Sequence, residues 1–250
     1  MSTGYSILPL IYDRWQQSYG KDYSSMIFPR LLDSIKEHKV PVSSMLDLAC
    51  GTGTLCLLMA RKGWKVWGVD GSEGMIDAAR KKLNGKRKDI EFLRQDMRDL
   101  SLPEKVRLVT CMFDSLNHLI FPADLLKVLL AVHAAMEDGG TFIFDVNNQL
   151  CFKTLWKQTE TIHHEDFTMI LQNTYQPATR MADSEVTVFL KNGSHYERLA
   201  EVVRERYYPR EEVASLLQRA GFSLLQSEDF NFTGNPQVGK IKTWWVAKKI

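Results

Sequence analysis

Two glycines, Gly51 and Gly53, flank a threonine directly after the apolar run Met45–Ala49, and a carboxylate, Asp70, follows about 20 residues later at the end of a second apolar run. A tight glycine turn lets a ligand approach bare backbone. An acid at that distance is placed to accept from the two hydroxyls of a ribose. Helix capping is the competing use of Asp70, for which Ser72 is better placed. A third acid, Asp47, stands four residues before Gly51, between Leu46 and Leu48. A dinucleotide turn needs a third glycine three residues after Gly53, where this chain has Cys56. Asp47 would also repel a pyrophosphate, yet it suits a ligand that carries an ammonium and a sulfonium. Asp96, the Phe113-Asp114-Ser115 run and His118 are the further candidates. Asp96 either caps a turn or takes a donor, and His118 is either an ordinary loop histidine or a base.

Strands and helices must alternate to place these residues together. Met45–Ala49 reads as a strand, re-entry into helix comes near Leu55, and Lys65–Val69 is the next strand. Ser72 can cap a helix over Glu73–Leu83, and Asn84–Lys88 is a polar turn. Ile90–Arg94 alternates as a third strand and stops at Gln95-Asp96-Met97. The nearly continuous apolar run Val106–Met112 suits a strand buried on both faces. A helix over Ala123–Met136 closes at Asp138-Gly139-Gly140, read as a C-cap and turn, and Thr141–Val146 is the fifth strand. Such alternation predicts a doubly wound α/β sheet, mostly parallel, with helices on both faces. From Gln149 the period becomes two over Ile162–Tyr175, Glu185–Lys191 and His195–Tyr207, with the hairpin signal Asn192-Gly193. We expect three segments: a core over 1–148, an inserted antiparallel sheet over 149–208, and a final helix with antiparallel edge strands over 209–250. Ahead of the core lies an arm rich in aromatic residues, Tyr5, Tyr12, Trp15, Tyr19 and Tyr23. It either packs on the core or forms a lid over the glycine turn, with phenols toward a polar or cationic ligand.

Bulk properties narrow the class. The chain has 250 residues, 44% hydrophobic and 25% charged, with formal net charge +2. That balance gives no basic block for nucleic acid. The four cysteines form no CxxC pair, and no metal-ligand spacing occurs, so no metal is expected. The opening Met-Ser-Thr-Gly-Tyr-Ser has no basic segment leading into an apolar one, and no apolar run approaches the roughly 20 residues of a membrane helix. The expectation is a soluble, cytoplasmic protein without a membrane partner.

Leu-Asp-Leu-Ala-Cys-Gly-Thr-Gly-Thr resembles the first motif of the class I S-adenosylmethionine-dependent methyltransferases, and Val-Trp-Gly-Val-Asp-Gly-Ser-Glu-Gly-Met resembles their second. The resemblance extends over about residues 12–147. It implies a Rossmann-like seven-stranded sheet whose last strand is antiparallel, here with an antiparallel β insertion after the fifth strand. It also implies S-adenosylmethionine as cofactor and S-adenosylhomocysteine as product. Ala49, Gly51 and Gly53 would border the methionine part, and Asp47 would act beside the turn. Asp70 would hold the ribose, with Gly71 and Met75 beside the adenosine. Gln95, Asp96 and Met97 would meet the adenine, and Phe113, Asp114 and Ser115 would flank the transferable methyl. Tyr12, Tyr19 and Tyr23 would close over it.

Methyl transfer from a sulfonium depends mainly on alignment, and a base is needed only for a protonated acceptor. His118 is the best-placed candidate. The chain lacks the Asn/Asp-Pro-Pro-Tyr/Phe loop and the Pro-Cys dipeptide that nucleic-acid methylases resemble, which leaves a small-molecule acceptor. The arm and the stretch Cys-Met-Phe-Asp-Ser-Leu-Asn look like bacterial small-molecule N-methyltransferases, including amino-sugar N,N-dimethyltransferases, and so suggest nitrogen. The inserted sheet would roof the substrate or form a homodimer contact. A non-catalytic S-adenosylmethionine-binding protein, a protein or RNA methylase and an NAD(P)-binding oxidoreductase are the competing readings.

Overall fold

The computed structural model describes residues 7–85, 87–233 and 235–250. Tyr5 and the rest of the opening hexapeptide lie outside the described residues, as does Lys86 of the expected polar turn. Seven strands form the main sheet: β1 (Ser44–Leu48), β2 (Lys65–Asp70), β3 (Ile90–Arg94), β4 (Val106–Cys111), β5 (Met136–Asn147), β10 (Phe222–Phe230) and β11 (Lys242–Lys249). Their order is β10-β11-β5-β4-β1-β2-β3, and β1 to β5 pair in parallel. All five residues of β1 are buried, as a central strand covered on both faces requires. Helices α5 (Pro122–Ala135) and α7 (Arg210–Arg219) cover one face. Helices α2 (Tyr23–Glu37), α3 (Thr54–Ala60) and α4 (Glu73–Leu83) cover the other. Ser72 caps α4 through the amide of Met75 at 3.4 Å, and Asn84 ends it in the left-handed region.

The last two strands finish the sheet as the expected antiparallel edge pair, with β11 between β10 and β5, antiparallel to both, and β10 outermost. Trp244, Trp245, Val246 and Ala247 of β11 are buried whichever way they point. Two expectations need correction. Asp138-Gly139-Gly140 is no helix end but a bulge inside β5, where Met136 pairs with Val106 and Thr141 with Leu108. Ile162–Tyr175 is two strands, β6 (Thr159–His163) and β7 (Phe167–Gln176), joined by a turn at 164–166.

These two, with β8 (Met181–Asn192) and β9 (His195–Arg206), make a separate four-stranded antiparallel sheet, reached from β5 through the short helix α6 (Gln149–Thr154). Its inner face buries Ile162, Phe167, Met169, Val186, Val188 and Val203 against Ile7, Leu8 and Ile11 of the arm and Met75 of α4. The arm, with helix α1 (Tyr12–Gln17), is therefore wedged between the second sheet and the main one, above the carboxyl ends of β1 and β2. Open α/β sheets bind ligands at that edge.

Candidate active site

The turn after β1 takes left-handed backbone at Ala49 (φ 56°), Gly51 (φ 53°) and Gly53 (φ 74°). At Gly53 a methyl would stand 2.5 Å from Cζ of Phe92, so the residue must be glycine on two counts. At Gly51 the nearest neighbour is the Tyr12 ring at 3.8 Å. Asp70 closes the turn. One of its oxygens accepts from the Gly51 amide at 2.9 Å and the other from Ser72 at 2.8 Å, which fixes the carboxylate with a lone pair of each oxygen left over. Burial raises its pKa against the pull of those two amides. Asp47 is buried below, and accepts from Thr110 Oγ1 at 2.8 Å and from the Cys56 thiol at 3.3 Å. Burial pushes it up to about 6. Cys56, noted in the sequence only because it is not glycine, is thus a donor to Asp47.

Beyond β3, both amide groups of Gln95 bond the backbone of Ser101. Asp96 lies at the cavity rim with its two oxygens on the guanidinium and amide of Arg98. Gly71 is exposed and Met97 packs on the main core. Met75 is buried among arm residues.

The arm is tied at both sides. Asp13 accepts from Thr52 of the glycine turn at 2.6 Å and pairs with Lys82 of α4 at 2.8 Å. On the other side Arg14 pairs with Asp166, the Tyr19 hydroxyl donates to Glu160 of β6 at 3.0 Å, and the Ile7 amide donates to Glu201 of β9 at 3.3 Å. Tyr12 faces the glycine turn. Tyr19 instead leans toward the second sheet. Tyr23 turns its ring onto Phe113 at 4.5 Å and donates its hydroxyl to Asp145 at 2.8 Å, so its polar end is spent on the fold.

A buried charged network holds the loop after β4. Phe113 and Asp114 are both left-handed (φ 59° and 52°), and their amides donate to Asp145 of β5 at 2.8 and 2.9 Å. Ser115 bonds back to the Met112 carbonyl at 2.8 Å. Lys242, 2% exposed, places its ammonium on Asp114, on Asp145 at 3.1 Å and on Asn147 at 3.0 Å. Burial would lower Lys242, but Asp114 and Asp145 outweigh it and hold the pKa above the ordinary lysine value. Asp114 is held low despite burial, chiefly by Lys242. Asn117 bonds the Arg206 carbonyl and the Asn147 amide, and so joins β9 to β5. Glu205 of β9 is 3% exposed, accepts from Asn147 at 3.0 Å and shares a hydrogen bond with Asp114. Burial, then Asp114, keep its carboxyl protonated far above the usual range. His118 Nδ1 lies 3.2 Å from the Arg204 carbonyl, so that nitrogen carries the proton, and Nε2 lies 3.8 Å from Glu205. Burial keeps the imidazole neutral by lowering its pKa. Donor atoms of Asp114, His118 and Glu205 lie within 4.8 Å of one another, and Lys242 sits on Asp114 beside them.

Tyr12, Gly51, Asp70, Asp114, His118 and Lys242 are among the residues that line one cavity of about 1150 Å³. The glycine turn, Asp70 and Gln95–Arg98 bound one end. Asn147, Trp156, Met169, Asn173, Ser184 and Glu205 bound the other. Asp145, Lys242, Asn117 and Glu205 were not singled out in the sequence. The available signal was a charge within each of two apolar strands, Asp145 in Phe-Ile-Phe-Asp-Val and Lys242 before Thr-Trp-Trp-Val-Ala. Glu205 has none, since it sits in ordinary alternation.

A family model for methyltransferase domains matches residues 45–140. YqeM of Bacillus subtilis (strain 168), a protein named for methyltransferases, is 30% identical over 208 residues, covering 82% of this chain and 83% of that one. The dTDP-3-amino-3,6-dideoxy-α-D-glucopyranose N,N-dimethyltransferase of Streptomyces fradiae is 36% identical over 135 residues, 54% of this chain and 51% of that one. An S-adenosylmethionine-dependent methyltransferase from Clostridium acetobutylicum ATCC 824 superposes with a TM-score of 0.77 at 25% identity, covering 91% and 90% of the two chains. The open face at Gly51, the spare lone pairs of Asp70 and the acid below the turn fit a cationic nucleoside donor. With this sheet order and these relatives, the chain belongs to the class I S-adenosylmethionine-dependent methyltransferases and resembles the sugar N-methyltransferases among them.

Proposed function

We propose that the acceptor is a small molecule methylated on nitrogen. The observation that carries this reading is that Asp114 on the cavity wall and Asp145 buried behind it share a single ammonium, Lys242, leaving one negative charge in a buried setting. An amine or ammonium ion suits such a wall better than an anionic acceptor. The cavity also exceeds the ~300–1,000 Å³ of single-ligand pockets, which gives room for an acceptor beside the donor. Relatives named as amino-sugar N,N-dimethyltransferases, from Streptomyces venezuelae and Streptomyces fradiae, add support. A ubiquinone biosynthesis O-methyltransferase of Coxiella burnetii, 28% identical over 166 residues, keeps oxygen as the alternative acceptor atom.

In this reading Asp70 takes the ribose hydroxyls, and Ala49, Gly51 and Gly53 leave room for the methionine part above Asp47. Gly71, Met75 and Gln95–Met97 border the adenosine. Asp96 reaches the adenine only if it shares its oxygens with Arg98. The cofactor supplies an activated methyl on sulfur. The protein's work is to align the acceptor, exclude water and take up a proton. Phe113, Asp114 and Ser115 form the wall between the two ends, with Tyr12 closing it from the arm. His118, neutral and held at Nδ1, is the proton acceptor within reach of that wall. Residues 149–208 roof the acceptor end, because Met169, Asn173, Ser184 and Glu205 line it. No helix among the described residues is long and apolar enough to cross a membrane.

The test is transfer of a radioactive methyl group from S-adenosylmethionine to a panel of small amines, amino sugars and matching alcohols, in parallel with cell lysate. Label on nitrogen in the low-mass fraction is the expected result. Label confined to oxygen, or to protein or RNA, overturns the proposal.

A further inference from the structure

We propose that Glu205 determines selectivity for a cationic acceptor: with Asp114 it receives the acceptor's ammonium, and it gives up its proton when that cation arrives. The inference rests on the amine reading above. It is carried by placement. Glu205 is the one carboxyl that the second sheet delivers against the loop flanking the donor. It shares a hydrogen bond with Asp114, its other oxygen is fixed by Asn147, and it borders the common cavity. An ordinary roof strand has no reason to bury an acid there, since an unpaired carboxyl in such a setting is costly.

The charges facing Glu205 come from every element around it. Asp114 and His118 stand on the loop after β4, Lys242 on β11 with its second carboxylate partner Asp145 on β5, and the Cys151 thiol on α6. Two carboxylates, Asp114 and Asp145, are met by the one ammonium of Lys242, and a third carboxylate would leave two unbalanced charges. Glu205 therefore holds its proton while the acceptor end is empty. An incoming ammonium supplies the missing positive charge, and the O–H bond of Glu205 then breaks, its proton passing to bulk buffer and its electron pair staying on the carboxylate. A neutral alcohol brings no charge and displaces no proton. The consequence is a coupling between cation binding and proton release that grows stronger as the pH falls.

Sinefungin is the probe, because it carries an amine at the place of the transferable methyl. Calorimetry of sinefungin and of S-adenosylhomocysteine, each in two buffers of different ionisation enthalpy, reads both affinity and protons released. For the unaltered chain the expected result is tighter binding of sinefungin with release of a proton, and no release with S-adenosylhomocysteine. Glu205→Gln keeps the bond to Asn147 and removes the titrating group. It should abolish proton release and cut the preference for sinefungin about tenfold, with S-adenosylhomocysteine affinity unchanged. Glu205→Asp should restore the release, which a merely structural role would not do, and it serves as the test if Glu205→Gln does not fold. Retained preference and release in Glu205→Gln, or no release in the unaltered chain, overturns the proposal. Failure of the amine reading is separate and appears as label on oxygen in the transfer assay, whatever Glu205 does.

Discussion

Replacing Asp70 by asparagine changes almost no volume, yet it should disable the donor site. Each carboxylate oxygen of Asp70 accepts a backbone amide, from Gly51 at 2.9 Å and Ser72 at 2.8 Å. An asparagine presents one oxygen and one NH2 group. One backbone amide then faces a donor, and a charge-assisted bond of about 1.5–3 kcal/mol is lost. In its proposed role the carboxylate also accepts from two ribose hydroxyls, of which the amide can serve only one, a second loss of similar size. The first loss falls on the free and the bound chain alike and lowers stability, while the second falls on binding alone, a weakening of S-adenosylhomocysteine affinity by roughly 10- to 100-fold. Acidity supplies an independent check. Because burial raises the pKa of Asp70 in the fold, the ligand-free native chain holds this proton more tightly than the unfolded chain does. Lowering the pH toward that raised value relieves a cost of folding, while it removes the carboxylate that the ligand needs. Affinity should fall with acidification as the stability share of Asp70 rises, and Asp70→Asn should flatten both slopes. Calorimetry and thermal melts taken from neutral pH down to the ordinary aspartate value of 3.8 measure the two. An Asp70→Asn chain that binds within threefold of the original, or an original whose affinity ignores pH, would refute the reasoning.

Further outcomes follow from the same geometry. Gly53→Ala sets a methyl 2.5 Å from Phe92 at φ 74°, and strain with overlap of about 2–4 kcal/mol should lower the melting temperature by roughly 5–15 °C. Adding Phe92→Leu should recover part of it, and no recovery would sink the steric account. Asp47, pushed from 3.8 to about 6, makes the fold less stable above about pH 6 and relieves that cost as the pH falls from about 6 toward 4. Asp47→Asn should therefore gain on the original chain by up to about 3 kcal/mol at pH 8 and lose that advantage near pH 4; melts with parallel pH slopes would contradict this. Tyr23→Phe removes one of the donors on buried Asp145 and should cost about 1–2 kcal/mol, read as a lower denaturation midpoint with an unchanged slope. An unshifted midpoint would show that the hydroxyl carries no stability.

Local signals in the chain were read well where one residue decides the outcome. Ser72 set the start of α4 at Glu73, Asn192-Gly193 joined β8 to β9, and the apolar run from Val106 became a central strand. The glycine turn and its closure by Asp70 were legible for the same reason, since they lie within one βαβ unit. What is not legible depends on distance. Which strand of the edge pair meets β5 is decided by pairing about 100 residues back in the chain, and nothing near Trp244 announces that it is β11. The turn at 164–166 interrupts an alternating pattern without glycine or proline, held instead by Asp166, whose carbonyl accepts from Lys191 and whose carboxylate pairs with Arg14. The acceptor end is made from β5, β9, β11 and the loop after β4. Its buried network of Asp114, Asp145, Asn147, Glu205 and Lys242 exists only once all four have met.

The arm's two sets of ties also give the molecule a history. Its partner Lys82 lies 69 residues beyond Asp13, whereas Asp166 lies 152 residues beyond Arg14 and Glu201 lies 194 beyond Ile7. At a translation rate of about 5–20 residues per second, the last of these is made roughly 10–40 s after the arm itself. During that interval the nascent chain can fold the glycine turn and dock one side of the arm, but it has nothing to hold the other side. The donor pocket is therefore among the first features to form and among the last to be covered, and its closure reports that the strands of the roof have been synthesised and paired.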